Sequence, residues 1–140
     1  DLNLNLAVSD KNGEIDFYYQ KKLSLLSTIK KSQCNFAFQG KINKKKISSQ
    51  TLTKVLDDSK YKDKQIDFLD IDVEGADLDV LKSLDFSRYS PKLICVEILP
   101  ENMDYRNINI EKSDIYNFLK IKNYQKIWSD IFSHIFVRNL

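Results

Sequence analysis

The chain has 140 residues, which is the size of a single domain or of part of one. Hydrophobic residues make up 42% of it and charged residues 30%, a composition that excludes a disordered chain and allows a core of useful size. The net charge of +2, from 22 basic and 20 acidic side chains, is too balanced to indicate nucleic-acid binding.

The numbers and positions of the cysteines and glycines indicate the cellular compartment and exclude some kinds of binding site. Cys34 and Cys95 form neither a disulfide framework nor a CxxC metal pair, which suits a reducing compartment, so we expect a cytoplasmic protein without a membrane span. The three glycines lie too far apart to form a phosphate or cofactor loop. Because the chain begins at Asp1, already inside an alternating apolar pattern, we expect it to be cut from a longer protein.

The first half of the chain predicts a hairpin followed by a variable middle. Alternating apolar and polar residues predict strands over residues 1–9 and 14–19, paired through a turn at Gly13. Residues 20–31 are polar and Ser/Thr-rich, and we expect an irregular, substrate-facing loop there. A short strand over residues 35–38 follows, and the lysine-rich residues 41–49 lead into a helix over residues 51–56 that Ser49 or Thr51 can cap.

Residues 66–84, IDFLDIDVEGADLDVLKSL, predict the strand and helix around which the chain is organised. Their first eight residues are dense in apolar side chains, which is typical of a strand covered on both faces. Asp70, Asp72 and Glu74 share one parity and would point to the same face of a regular strand. Gly75 permits a sharp turn into a helix over residues 76–84.

The carboxylates at the end of this strand are the candidate functional residues. In open α/β sheets, ligands bind beyond the carboxyl ends of the strands, where Asp72 and Glu74 would lie. Such groups can bind a ligand, hold a cation or accept a proton, and a buried carboxylate needs a partner. The helix dipole explains Asp77 and Asp79 without a functional role, and Glu74 could be a residue of the same kind.

The second half predicts a parallel strand, a helix and an antiparallel pair. Residues 92–98 form the second strand of a βαβ unit, which places Glu97 at the same sheet edge as Asp72. A loop over residues 99–109, a helix from Ser113 or Asp114 to Lys122, and antiparallel strands over 124–128 and 131–138 complete the chain. His134 reads as a structural or solvent-facing residue on an edge strand, and Trp128 reads as a core residue.

Three stretches together resemble the FkbM-type methyltransferases: Val8-Ser9-Asp10 with Gly13, then Ile66 to Leu69 running into Ile71-Asp72-Val73-Glu74-Gly75-Ala76, then Pro91 to Ile94 with Val96-Glu97. The resemblance implies an α/β fold, a partial Rossmann-like class I methyltransferase sheet with a C-terminal antiparallel hairpin. It implies S-adenosyl-L-methionine as cofactor and a hydroxyl on a sugar or other small metabolite as acceptor. Residues 1–140 would be one incomplete domain, because the family's Gly-rich loop is absent. This portion alone would therefore be inactive.

The resemblance also assigns roles by position. Ala7, Val8 and Ser9 would lie near the adenine, and Asp72 would lie beside the transferring methyl group, with no metal in the site. Asp72 would accept the proton of the acceptor hydroxyl or orient it, with Glu74 as second choice. Many relatives carry Lys at the position of Asp70.

Two other readings remain open. An apolar strand ending in Asp70-Ile71-Asp72 is similar to the DxD element of metal-dependent glycosyltransferases, whose oxygen ligands suit Mg²⁺ or Mn²⁺. A partial domain without catalytic activity could instead bind a partner through an exposed sheet edge. The Glu74-Gly75-Ala76 continuation favours the methyltransferase.

Overall fold

The computed structural model describes residues 2–21, 27–99 and 109–139, with Phe36 and Ala37 described by their backbone only. These residues form a mixed α/β structure with two sheets and short helices. In chain order the elements are β1 (Ala7–Val8), β2 (Gly13–Tyr19), α1 (Cys34–Ala37), β3 (Asn43–Gln50), α2 (Leu52–Asp57), β4 (Phe68–Ile71), α3 (Asp77–Lys82), β5 (Leu93–Glu97), α4 (Asp114–Ile121), β6 (Tyr124–Ser129) and β7 (Ser133–Arg138), with 3₁₀ turns at Lys31–Gln33 and Ile110–Lys112.

The first sheet has the order β1-β3-β2, so the predicted hairpin between residues 1–9 and 14–19 is wrong. β3 lies between them, parallel to β1 and antiparallel to β2. The sequence pattern missed β3 because NKKKISSQ lacks alternating apolar residues. Its lysines are stabilised instead by cross-strand charge: Asp16 on β2 binds the ammonium groups of Lys44 at 3.2 Å and Lys46 at 2.8 Å.

The variable middle differs from the prediction in one element and agrees in another. The predicted strand over residues 35–38 is wrong, since Cys34–Ala37 is a helical turn. The capped helix is confirmed as α2, because the Thr51 side chain accepts a hydrogen bond from the backbone N–H of Lys54 at 3.3 Å. The predictions for residues 20–31 and 99–109 fall partly on residues 22–26 and 100–108, which lie outside the described part of the chain.

The second sheet has the order β4-β5-β7-β6 and confirms most of the predicted second half. β4 and β5 are parallel, as expected of a βαβ unit, and β6 and β7 are antiparallel to one another. β7 pairs with β5 on its other side, so the placement of His134 on an edge strand is wrong. The predicted helix near the end is confirmed as α4, whose Ser113 cap accepts a hydrogen bond from the Tyr116 backbone N–H at 3.1 Å.

The main core lies on one face of this second sheet, against α3 and α4. It is built from the buried side chains of Ile71, Val80, Leu81, Ile94, Val96, Ile98, Leu119, Tyr124 and Phe136. The other face of β4 is open: the Phe68 side chain is 53% exposed and Asp70 is exposed, so the prediction of a strand covered on both faces is wrong. Within the described residues β4 pairs only with β5 and forms one edge of the sheet.

The opposite edge of the sheet, β6, is also more exposed than the sequence predicted. Its pairing with β7 shifts register between Lys126 and Trp128, and the indole of Trp128 is 49% exposed rather than part of the core. Among the described residues, no helix has both the length and the apolar character needed to cross a bilayer.

Candidate functional site

The loop between β4 and α3 carries the candidate residues and has an unusual backbone. β4 ends at Ile71, so the alternation expected to align Asp70, Asp72 and Glu74 does not extend to Glu74. Glu74 has φ +52° and Gly75 has φ +86°, which puts two successive residues in the left-handed region. A non-glycine residue in that region is strained and persists only where its surroundings hold it.

Two side chains from outside the loop hold it in this conformation. The carboxylate of Asp77, buried at the start of α3, accepts hydrogen bonds from the backbone N–H of Gly75 at 3.1 Å and of Val73 at 3.4 Å. The Thr28 hydroxyl donates to the carbonyl oxygen of Glu74 at 2.9 Å. Thr28 is in turn bridged to Tyr18 on β2 through backbone hydrogen bonds, so the loop is fastened to the first sheet.

A cavity of about 390 Å³ opens between this loop and the first sheet. Ala7 and Val8 of β1 line one side, and Asp72 and Glu74 line the other. Four of the five predicted site residues therefore line one cavity, although the pair on β1 and the pair after β4 lie more than sixty positions apart in the chain. The remaining lining residues are Leu6, Phe17, Ser27, Thr28, Ile29 and Val73.

Ser9, the fifth predicted site residue, does not line this cavity. Its side chain is 1% exposed, and its Oγ lies 2.6 Å from the Oγ of Ser49 on β3. The same hydroxyl accepts from the backbone N–H of Lys11 and donates to the carbonyl oxygen of Lys11. Ser9 therefore ties the end of β1 to β3 and to the following turn.

Asp70 does not line the cavity. It pairs with Cys95 across β4 and β5, on the open face of the second sheet. Burial, and then the neighbouring Asp70 carboxylate, raise the pKa of the Cys95 thiol. In the described part of the chain no cluster of three His, Cys, Asp or Glu side chains is arranged to hold a metal ion.

Negative charge accumulates where the sheet meets the cavity. Burial, and then the nearby carboxylates of Asp72, Asp77 and Glu74 in that order, raise the pKa of Glu97 to about 7. The Glu97 Oε2 atom is buried and has no hydrogen-bond partner. Burial also raises the pKa of Asp77 to about 6, although the backbone hydrogen bonds that its carboxylate accepts act to lower it. Burial, and then the negative charge of Asp72, raise the pKa of Glu74. The arrangement favours protons or a cation beside these residues.

Three of the residues that shape this site were not predicted as site residues. Asp77 was attributed to the helix dipole, but its side chain is 3% exposed and binds the loop backbone. Glu97 was placed at the correct sheet edge without a role. Thr28 gave no signal in the sequence, because its contact with Glu74 joins positions far apart in the chain.

His134 is buried with 1% of its side chain exposed, so a solvent-facing position is excluded. It lies opposite Val96 on the core face of the second sheet, and neither ring nitrogen has a hydrogen-bond partner. Burial, with Lys126 second, lowers the pKa of the imidazole, which favours its neutral form. It does not line the Asp72 cavity.

Comparison with known proteins assigns the chain to a family. The model of the FkbM methyltransferase domain matches residues 1–126, which include both walls of the cavity. No curated protein and no solved structure matches the chain. Since the matched span covers most of the chain, the protein belongs to the FkbM methyltransferase domain family.

Proposed function

We propose that the protein transfers a methyl group from S-adenosyl-L-methionine to a hydroxyl of a sugar or other small metabolite. The observation that carries this proposal is the shared cavity, which joins the end of β1 to the carboxylates that follow β4. On this proposal, the β4-β5-β7-β6 sheet is part of a Rossmann-like class I methyltransferase sheet.

The residues around the cavity fit this cofactor chemically. S-adenosyl-L-methionine carries a positive sulfonium, and the carboxylates of Asp72 and Glu74 create a negative potential at one end of the cavity, with Glu97 close enough to interact with both. Ala7 and Val8, both partly buried, provide an apolar wall at which the adenine would lie. A sulfonium bound nearby would stabilise the ionised form of Glu97, whose buried Oε2 atom has no hydrogen-bond partner.

The bound cofactor supplies an electrophilic methyl group, and the chain supplies position and proton transfer. Asp72 is exposed to the cavity, where its carboxylate can accept a hydrogen bond from the acceptor hydroxyl and take its proton as the oxygen becomes nucleophilic. Holding two reactants in line contributes several kcal/mol to such a reaction. The hydrogen bonds from Thr28 and to Asp77 fix the loop that carries Asp72 and Glu74.

Direct binding tests the proposal in the full-length protein. S-adenosyl-L-methionine and its neutral product S-adenosyl-L-homocysteine are titrated by calorimetry at about pH 6 and about pH 8. We expect both to bind, and the affinity ratio to shift towards the cationic compound at the higher pH, where Glu97 is ionised. A parallel titration uses a sugar nucleotide with Mn²⁺. Binding of the sugar nucleotide alone, or of no compound, contradicts methyl transfer.

A further inference from the structure

A second cavity of about 430 Å³ lies next to the Asp72 cavity along the first sheet. The two cavities share Leu6, Ala7 and Phe17 as lining residues and are therefore adjacent, and we call the two together the groove. The far part of the groove is lined by Asn5, Lys45, Ile47 and Ser48. The carboxylates lie at one end and a lysine lies at the other.

The three consecutive lysines of β3 differ in their partners. Lys44 and Lys46 point to one face of the sheet, where both bind Asp16. Lys45 pairs with Phe17 on the opposite face, the face that lines the groove. Its ammonium lies 5.4 Å from the ring centroid of Phe17 and 5.5 Å from that of Tyr19. Within the described residues, no carboxylate forms an ion pair with Lys45.

The two aromatic rings hold this charge in place without neutralising it. The rings of Phe17 and Tyr19 stack with their centroids 6.1 Å apart, and Lys45 contacts both. Such contacts orient an ammonium group while leaving its N–H donors available to an anion. The groove therefore has an uncompensated positive end, set opposite the negative end at Asp72 and Glu74.

We propose that Lys45 binds an anionic group, phosphate or carboxylate, carried by the acceptor; this rests on the proposed methyltransferase function. The charge of the groove sets the orientation, because the carboxylates repel the anionic group while Lys45 attracts it. The acceptor hydroxyl is thereby directed to Asp72. The proposed acceptor class is thus a small molecule that carries both a hydroxyl and an anionic group.

The neighbouring lysine provides a matched control. Lys45→Gln and Lys44→Gln each remove one positive charge from the same exposed strand, and after the second change Asp16 still binds Lys46. Isotope-labelled wild-type protein and both variants are titrated with glucose-6-phosphate, glucuronate and glucose, and binding is followed by the amide NMR signals of residues 5–7, 17 and 45–48. Circular dichroism confirms that each variant is folded.

We expect an anionic sugar to shift these signals in the wild type and glucose to shift them far less. Lys45→Gln should weaken anion binding about tenfold, because one charge-assisted hydrogen bond is lost. Lys44→Gln should bind like the wild type. Preference for glucose-6-phosphate or for glucuronate identifies the anionic group. The inference is overturned if neither anion binds, if glucose binds equally well, or if both variants behave alike. S-adenosyl-L-homocysteine binding, measured in the same samples, reports separately on the proposed function.

Discussion

The carboxylate of Asp77 accepts a hydrogen bond from the backbone N–H of Gly75 at 3.1 Å, and this contact closes the loop that carries the candidate catalytic groups. Asp77 lies in the first turn of α3, yet its side chain is 3% exposed and turns back towards β4. The first helical turn and the end of the strand are thereby fixed to one another. The position of Asp72 depends on a residue that does not line the cavity.

Replacing Asp77 by Ala should destabilise the protein. The change leaves the N–H groups of Val73 and Gly75 without their acceptor, at a cost of about 1–3 kcal/mol in the free energy of unfolding. Asp79→Ala is the matched control, because Asp79 lies in the same turn but forms only a partly exposed ion pair with Lys30. Urea unfolding of both variants measures the difference. Equal losses would show that Asp77 acts only through the helix dipole.

Glu97 should make stability depend on pH. Its pKa in the folded protein is about 7, above the ordinary 4.5, so the folded state favours the protonated form. Its contribution is complete below about pH 4.5 and is lost as the pH rises through about 7. Glu97→Gln should therefore raise the free energy of unfolding at pH 8 by on the order of 2 kcal/mol and change it little at pH 4.

Thermal and urea unfolding across this pH range check the Glu97 prediction, with Glu14→Gln as control. Glu14 is exposed on β2, so its replacement removes the same charge without relieving burial. If Glu97→Gln follows the pH profile of the wild type, the Glu97 carboxyl is not held in a desolvated position.

Two glycines with similar backbone angles should respond differently to alanine. Gly75 has φ +86° and Gly40 has φ +89°, so each substitution imposes backbone strain of about 1–2 kcal/mol. At Gly40 a Cβ would meet open space, whereas at Gly75 it would lie 2.8 Å from the Cγ of Gln33. Gly75→Ala should therefore lower the midpoint of thermal unfolding more than Gly40→Ala.

The double variant Gln33→Ala with Gly75→Ala isolates the steric contribution. Once the effect of Gln33→Ala alone is subtracted, the cost of the alanine at position 75 should fall to that measured at position 40. A cost that remains unchanged in the double variant would assign the whole effect to the backbone of the loop.

Asp72→Asn should lower kcat of the full-length protein by about 10²–10⁴-fold, the contribution of a positioned general base, while leaving the unfolding midpoint unchanged. Asp70→Asn is the control, because Asp70 lies two residues away and faces Cys95 rather than the cavity. Methyl transfer is followed with labelled S-adenosyl-L-methionine. Wild-type turnover by Asp72→Asn removes this residue from the mechanism, and equal losses in both variants would favour a paired DxD element.

The parts of the fold that the sequence predicted are those with strong local signals. The apolar runs of β4 and β5, the caps at Thr51 and Ser113, and the close junction between β6 and β7 each determine local structure without distant partners. β3 was missed because its stability comes from partners outside its own segment. Asp16 pairs with lysines on a strand that begins more than twenty residues later.

The residues of the candidate site likewise include some that local sequence signals predict and others that depend on distant contacts. Asp72 and Glu74 could be selected because acidic residues at the end of an apolar strand stand out against their surroundings. The contacts of Thr28 with Glu74, and of Phe17 with the same cavity, join distant parts of the chain and follow only from the way the two sheets meet. Burial of Asp77 could not be inferred, because first-turn aspartates are usually exposed.

The exposure of Trp128 has a practical consequence for following this protein in solution. The chain has a single tryptophan, Trp128 on the edge strand β6, and its indole is 49% exposed. Its fluorescence therefore reports on water and on contacts at that rim, while tyrosines such as Tyr89 and Tyr124 carry the near-ultraviolet signature of the packed interior. A blue shift of the tryptophan emission, without a change in the near-ultraviolet circular dichroism of the tyrosines, would indicate that another molecule binds at β6.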